Sequence, residues 1–170
     1  MNIVLFGFMA SGKSTIATIL SKKLKMEFVE MDDLIEQETG ITISKIFKEK
    51  GEKYFRAMER EVVKGLASRD NIIISTGGGV ILNKDNLDDF KKKGVTISLM
   101  VSPKIVLKRT ENTNHRPLLN VSDKLKEITN LLKIRKEHYE QADYIIDTDK
   151  FTPEEVACKI IHEFKKKNKE

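Results

Sequence analysis

Asn2-Ile-Val-Leu-Phe-Gly7-Phe-Met-Ala-Ser-Gly12-Lys13-Ser14 is a short apolar run that flows into G-x-x-x-x-G-K-S. An apolar strand ending in this glycine-rich turn, with a helical pattern from about Lys13 to Lys25 behind it, is the strand, phosphate loop and helix of a nucleotide-binding unit. The chemistry explains the spacing. Successive backbone N–H groups of Ala10, Ser11, Gly12, Lys13, Ser14 and Thr15 can wrap a polyphosphate, and the positive end of the helix dipole points at it. Lys13 is placed to reach the β- and γ-phosphate oxygens, and the Ser14 hydroxyl to ligate Mg²⁺. A glycine-rich turn that merely joins strand to helix is the bland alternative.

Working outward, further β-type runs recur at Glu27–Met31, 71–75, Val95–Val101 and Asp143–Asp147, with amphipathic stretches between and after them. That alternation predicts an α/β fold with a five-stranded parallel sheet between helical layers. Ligands in such a fold bind beyond the carboxyl ends of the strands, so the residues following each strand are the candidates. After the second strand comes Glu30-Met-Asp32-Asp33, with Asp32 read either as a site acid or as the cap of a helix over residues 33–38. After the third comes Gly77-Gly78-Gly79, bare backbone that admits a small ligand closely and offers it N–H donors.

At 170 residues the chain fits a single domain. No signal segment and no apolar stretch of membrane-spanning length stands out, so a cytoplasmic protein with no membrane partner is expected. Cys158 falls in the apolar rhythm of the last helix and reads as a buried, inert thiol. The net charge is +5. Its lysines gather at predicted helix ends (Lys22, Lys23, Lys25; Lys91 to Lys93; Lys165 to Lys167), which argues against a nucleic-acid footprint.

Of 31 basic residues only Arg56, Arg60, Arg69, Arg109, Arg116 and Arg135 are arginines. Arginine retained against a lysine background points to planar, bidentate contacts. Arg116 lies in the polar stretch Glu111-Asn-Thr-Asn-His-Arg116-Pro117-Leu-Leu119, which reads as a lid over about residues 111–122 with Arg116 meeting the transferring phosphoryl group. His115 is assigned no role.

Arg56-Ala-Met-Glu59, then Ile73-Ile-Ser-Thr-Gly77-Gly78-Gly79-Val-Ile81, Arg116-Pro-Leu-Leu and Arg135-Lys-Glu-His-Tyr139-Glu-Gln-Ala142 resemble, with the Lys13 loop, the shikimate kinase family over nearly the whole chain. The resemblance implies the phosphate-loop NTPase fold with substrate-binding helices over about residues 32–62, in one kinase domain. It implies transfer of the γ-phosphoryl group of MgATP to the 3-hydroxyl of shikimate. Arg56 and Arg135 would grip the carboxylate, Glu59 would orient Arg56, and Asp32 would hydrogen-bond ring hydroxyls and accept the proton. The Gly77, Gly78 and Gly79 backbone would hold a remaining hydroxyl, Arg109 would pack on adenine, and Lys13 with Arg116 would stabilise the transferred charge. The loop Thr148-Asp-Lys-Phe-Thr-Pro153 would meet adenine through its backbone. Two departures stand out: Glu30 replaces the family's usual aspartate, leaving Glu30 or Asp32 to hold magnesium through water, and Ala10 stands where glycine is common.

A monomer is expected. The alternatives are another phosphate-loop kinase, such as a gluconate kinase, and an ATP-binding module without catalysis. A nucleotide acceptor would call for Gly-x-Pro-Arg after the third strand, which is absent. A GTP switch would need Asn-Lys-x-Asp, whereas Asn83-Lys84-Asp85-Asn86 ends in the wrong residue and opens a helix.

Overall fold

The structure, a computed structural model, describes residues 1–111 and 122–169. In chain order it runs β1 (Asn2–Gly7), α1 (Lys13–Leu24), β2 (Glu27–Glu30), α2 (Met31–Thr39), α3 (Ile43–Ser68), β3 (Ile72–Ser75), α4 (Lys84–Lys93), β4 (Gly94–Met100), α5 (Pro103–Thr110), α6 (Lys124–Tyr139), β5 (Tyr144–Asp147) and α7 (Pro153–Lys167). The five strands form one sheet of order β2-β3-β1-β4-β5, with every pairing parallel.

The three inner strands β3, β1 and β4 are buried on both faces, which is why they read as near-continuous apolar runs, while β2 and β5 form the more exposed edges. The period of two splits them cleanly. Val4, Phe6, Ile72 and Ile74 face a core completed by Met31, Phe55, Val63, Phe90 and Ile128 from α2, α3, α4 and α6. Ile3, Leu5, Ile73 and Ile97 face a second core of Ile16, Leu20, Val156 and Ile160 from α1 and α7. Three layers result, and all five strands end at the same edge.

Most boundaries shift by one residue from those expected; two differences matter. Met31 is not the last strand residue but the first of α2, its side chain fully buried. Asp32 is therefore not a cap: Glu30 holds the N-cap position without a side-chain cap bond, and Asp32 and Asp33 are first-turn acids favoured by the helix dipole. Asn71 also stands outside its strand, in a left-handed turn at φ 60°.

The lysine clusters occupy the last turns of α1, α4 and α7 as expected, and Lys25 caps α1. Asn83 caps α4 by accepting from the Asp85 N–H, so Asn83-Lys84-Asp85-Asn86 does open a helix. Cys158 corrects the reading of a buried thiol: it is exposed. The buried stripe of α7 is Val156, Ala157, Ile160 and Phe164. At about 100° per residue, Cys158 lies a further step round the helix from Ala157, outside that stripe. No described helix is long and apolar enough to cross a membrane.

Candidate active site

The turn after β1 gathers its groups at the carboxyl edge of the sheet. The Ser11 N–H donates to the Phe8 carbonyl at 3.2 Å, closing the loop, and α1 starts at Lys13 with Gly12 as its cap. Ala10 sits at φ 59°, in the left-handed region where a Cβ costs about 1 kcal/mol. The alanine that replaces the common glycine thus keeps a glycine's conformation. Lys13 Nζ donates to the carbonyls of Gly7 at 3.0 Å and Phe8 at 3.1 Å. Arg109, from α5, donates to the Ala10 carbonyl at 2.8 Å, which sets its guanidinium beside the loop.

Glu30, leaving β2, accepts a hydrogen bond from the Ser14 hydroxyl at 2.5 Å. The extra methylene relative to aspartate is taken up by this direct contact. Burial raises the Glu30 pKa, while the Ser14 hydroxyl works in the opposite direction. Asp32 adds like charge nearby.

Facing the loop is a second group of residues. The helix α3 breaks its helical run at Gly51, where φ is 81°, and the part beyond carries Arg56 and Glu59. Their i, i+3 spacing puts both on one face. Arg56 Nη1 donates to both Glu59 oxygens at 2.9 Å, and its Nη2 and Nε donate to Glu52. Glu59 is 2% exposed. Burial raises its pKa, the Arg56 charge and hydrogen bond oppose that, and Asp32 adds to the rise.

Glycine permits a close approach here. A Cβ on Gly79 would lie 2.6 Å from Arg56 Nη2, and one on Gly77 would lie 2.9 Å from Asp32 Oδ1. The triple glycine thus lets an arginine and an aspartate come flush against the main chain after β3.

From α6, Arg135 reaches the same backbone, with Nη1 donating to the Gly78 carbonyl at 3.2 Å and the guanidinium 5.5 Å from the centre of the Phe8 ring. Two residues were not foreseen as parts of this arrangement. The Tyr139 hydroxyl donates to the same Gly78 carbonyl at 2.7 Å. Asn86, 2% exposed, donates to the Val80 carbonyl at 3.0 Å and accepts from Arg60 at 3.2 Å, tying α3 to the end of the glycine run. Tyr139 could have been found from its i, i+4 spacing to Arg135. Asn86 carried no such signal.

The groups that face a ligand line one cleft of about 1320 Å³, with Tyr139, Asn86 and Arg60 behind its wall. Residues 10–15, Glu30, Asp32, Arg56, Glu59, Gly77, Gly78, Gly79, Arg109 and Arg135 all border it, so the sequence-predicted site residues that the structure describes converge. Thr148, Phe151 and Pro153 close its α7 side. There the Thr148 hydroxyl donates to the Met100 carbonyl at 2.8 Å, and Asp149 accepts from the Ser102 N–H. Arg116, and nearly all of the lid expected over residues 111–122, lie outside the described residues.

Among the described residues no cluster of three or more His, Cys, Asp or Glu side chains stands ready to cage a metal. The Ser14 hydroxyl against the Glu30 carboxylate is instead a sparse oxygen set, which suits Mg²⁺ held jointly by protein and substrate phosphates.

A phosphate loop at the head of a parallel sheet, with acids and an arginine-lined backbone pocket across the cleft, defines a phosphate-loop kinase of small molecules. The family model for shikimate kinase matches residues 9–165. The chain is 44% identical over 165 residues to the shikimate kinase of Thermodesulfovibrio yellowstonii, covering 97% of this chain and 95% of that one. It is 40% identical over 161 residues to that of Aquifex aeolicus, with coverage of 95% and 94%. Among solved structures, the Acinetobacter baumannii shikimate kinase in complex with shikimate superposes with a TM-score of 0.90 at 37% identity, covering 94% of this chain and 90% of that one. The Aquifex aeolicus enzyme does so with a TM-score of 0.82 at 36% identity, over 99% and 98%. The chain belongs to the shikimate kinase family.

Proposed function

We propose that the cleft carries out its family's reaction, transfer of the γ-phosphoryl group of MgATP to the 3-hydroxyl of shikimate, with its two sides dividing the work. The observation that carries this reading is that Arg56, Glu59, Asp32 and Arg135 converge on the Gly77–Gly79 backbone opposite the phosphate loop. A carboxylated, hydroxylated ring is what two guanidinium groups, a carboxylate and bare backbone donors suit. ATP is the donor.

On the nucleotide side, the N–H groups of residues 10–15 cradle the phosphates, Lys13 meets the β- and γ-oxygens, and Arg109 lies over adenine beside Thr148 to Pro153. Ser14 and Glu30 would hold Mg²⁺ directly or through water, with Asp32 as the second acid; the ion supplies positive charge against the phosphate oxygens. Lys13 must exchange its carbonyl partners for phosphate when ATP enters.

On the acceptor side, the helices over about residues 32–62 and α6 form the shikimate pocket. Arg56 and Arg135 take the carboxylate, and Glu59 holds the Arg56 fork by its paired hydrogen bonds. Asp32 positions the attacking hydroxyl and receives its proton. A loose transfer asks little of that base, so alignment contributes more than basicity. Arg116, from the lid over about residues 111–122, would supply charge to the transferring group. Every role falls to this one chain, which favours a monomer, acting in the cytoplasm where ATP is available.

Initial-rate ADP release with MgATP and, in parallel, shikimate, quinate, gluconate and nucleoside monophosphates tests the assignment. Turnover with shikimate alone is expected. Turnover with another acceptor and not with shikimate would overturn the pocket's assignment, and release with none would favour a binding module.

A further inference from the structure

The Gly78 carbonyl accepts twice, from the Tyr139 hydroxyl at 2.7 Å and from Arg135 Nη1 at 3.2 Å. Tyr139 is 1% exposed and its ring packs in the core beneath α6. The ring alone would fill that space; the hydroxyl is what reaches the glycine run. Burial pushes the phenol's pKa up to about 12, so it remains a neutral donor throughout the working pH range.

The peptide joining Gly78 to Gly79 is trans, so its N–H points opposite to its carbonyl. With the carbonyl turned onto α6, the Gly79 N–H is turned away from it. Among the described residues, no acceptor meets the N–H groups of Gly77, Gly78 or Gly79. Glycine, with its wide conformational freedom, would not hold one peptide orientation unaided.

We propose that Tyr139 is a positioning residue for the acceptor: its hydroxyl locks the Gly78–Gly79 peptide so that the glycine N–H groups face the substrate, and holds Arg135 in register through the shared carbonyl. This rests on the shikimate pocket read above. Tyr139 touches no substrate; it acts through the main chain.

The test is Tyr139→Phe, which keeps the ring and removes the hydroxyl. Loss of one buried hydrogen bond predicts about fivefold weaker shikimate binding by calorimetry and a matching rise in its KM. ATP affinity should stay within about twofold. Unchanged shikimate affinity, or equal weakening of both ligands, would overturn the proposal, the second because it marks a general loss of structure. A cycle with Arg135→Lys sharpens it: two groups sharing one carbonyl predict a double variant that loses less than the product of the single losses, and strict multiplication would count against the coupling. On the unaltered protein, the Gly79 amide resonance should shift when shikimate is added, and a static resonance would contradict the mechanism. If the unaltered protein neither binds nor phosphorylates shikimate, it is the pocket's assignment that fails.

Discussion

The two ends of the sheet are built to opposite rules. At the amino end, charges are paired and their hydrogen bonds closed. Asp143 accepts from the Thr96 N–H and hydroxyl, both at 2.8 Å, and pairs with Lys167 at 3.0 Å, while Lys93 bonds Ser68 and Asp70. Asn2 ties β1 to Arg69 and Ile72. At the carboxyl end, Glu30 and Glu59 carry pKa values raised by burial, Ala10 holds a left-handed backbone, and three glycine N–H groups have no acceptor among the described residues. One end holds the layers together, while the other keeps donors and charges ready for a ligand.

The strongest way to break that contrast is Asp32→Asn. With Asp32 the proposed proton acceptor, its loss should lower kcat about 100-fold with the thermal midpoint nearly unchanged. Near-normal turnover would remove Asp32 from the chemistry.

Asp143→Ala is the mirror experiment. Orphaning the Thr96 N–H and hydroxyl should cost about 2 kcal/mol in urea unfolding and leave kcat unaltered. Burial pushes the Asp143 pKa up, but the Thr96 hydrogen bonds and Lys167 outweigh it, and the folded value lies below the ordinary 3.8. A lowered folded pKa means that this stabilisation is fully present above 3.8 and is lost as pH falls through the folded value. The stability gap between the two proteins should therefore be constant near neutrality and close only in acid; a gap that closed above pH 5 would contradict the assignment.

Arg135→Lys separates the two sides of the cleft. A lysine keeps the charge but not the fork, so the KM for shikimate should rise about fivefold while that for ATP moves less than twofold. An unchanged acceptor KM would remove Arg135 from the carboxylate. Smallest is Ala10→Gly: relief of the left-handed alanine should stabilise the protein by up to about 1 kcal/mol, and a lowered unfolding midpoint would show that alanine is preferred there.

The amino end was mostly illegible in the sequence, because its hydrogen bonds and ion pairs join residues far apart in the chain, such as Thr96 with Asp143 and Lys93 with Asp70. The site end was far more legible. Its chemistry rides on short local patterns that end strands, and the apolar runs located those strands. Errors arose where burial and secondary structure part company. Met31 is apolar and buried like a strand residue yet begins a helix, which removes the capping alternative for Asp32. Cys158 stands beside the apolar stripe of α7 in sequence but not on the helix surface. Tyr139 shares a helix face with Arg135, a spacing the sequence does carry, whereas the Asn86 contacts depend on how α4 meets the end of the glycine run, which no local pattern encodes.

In the proposed reading, the fold itself assembles the acceptor side, from Arg56 with Glu59 and Arg135 with Tyr139, before any nucleotide arrives. Calorimetric titration of shikimate into the nucleotide-free protein tests this most directly. One-to-one binding is the predicted result. Absence of binding until a nucleotide is added would contradict the claim, by showing that ATP builds the pocket.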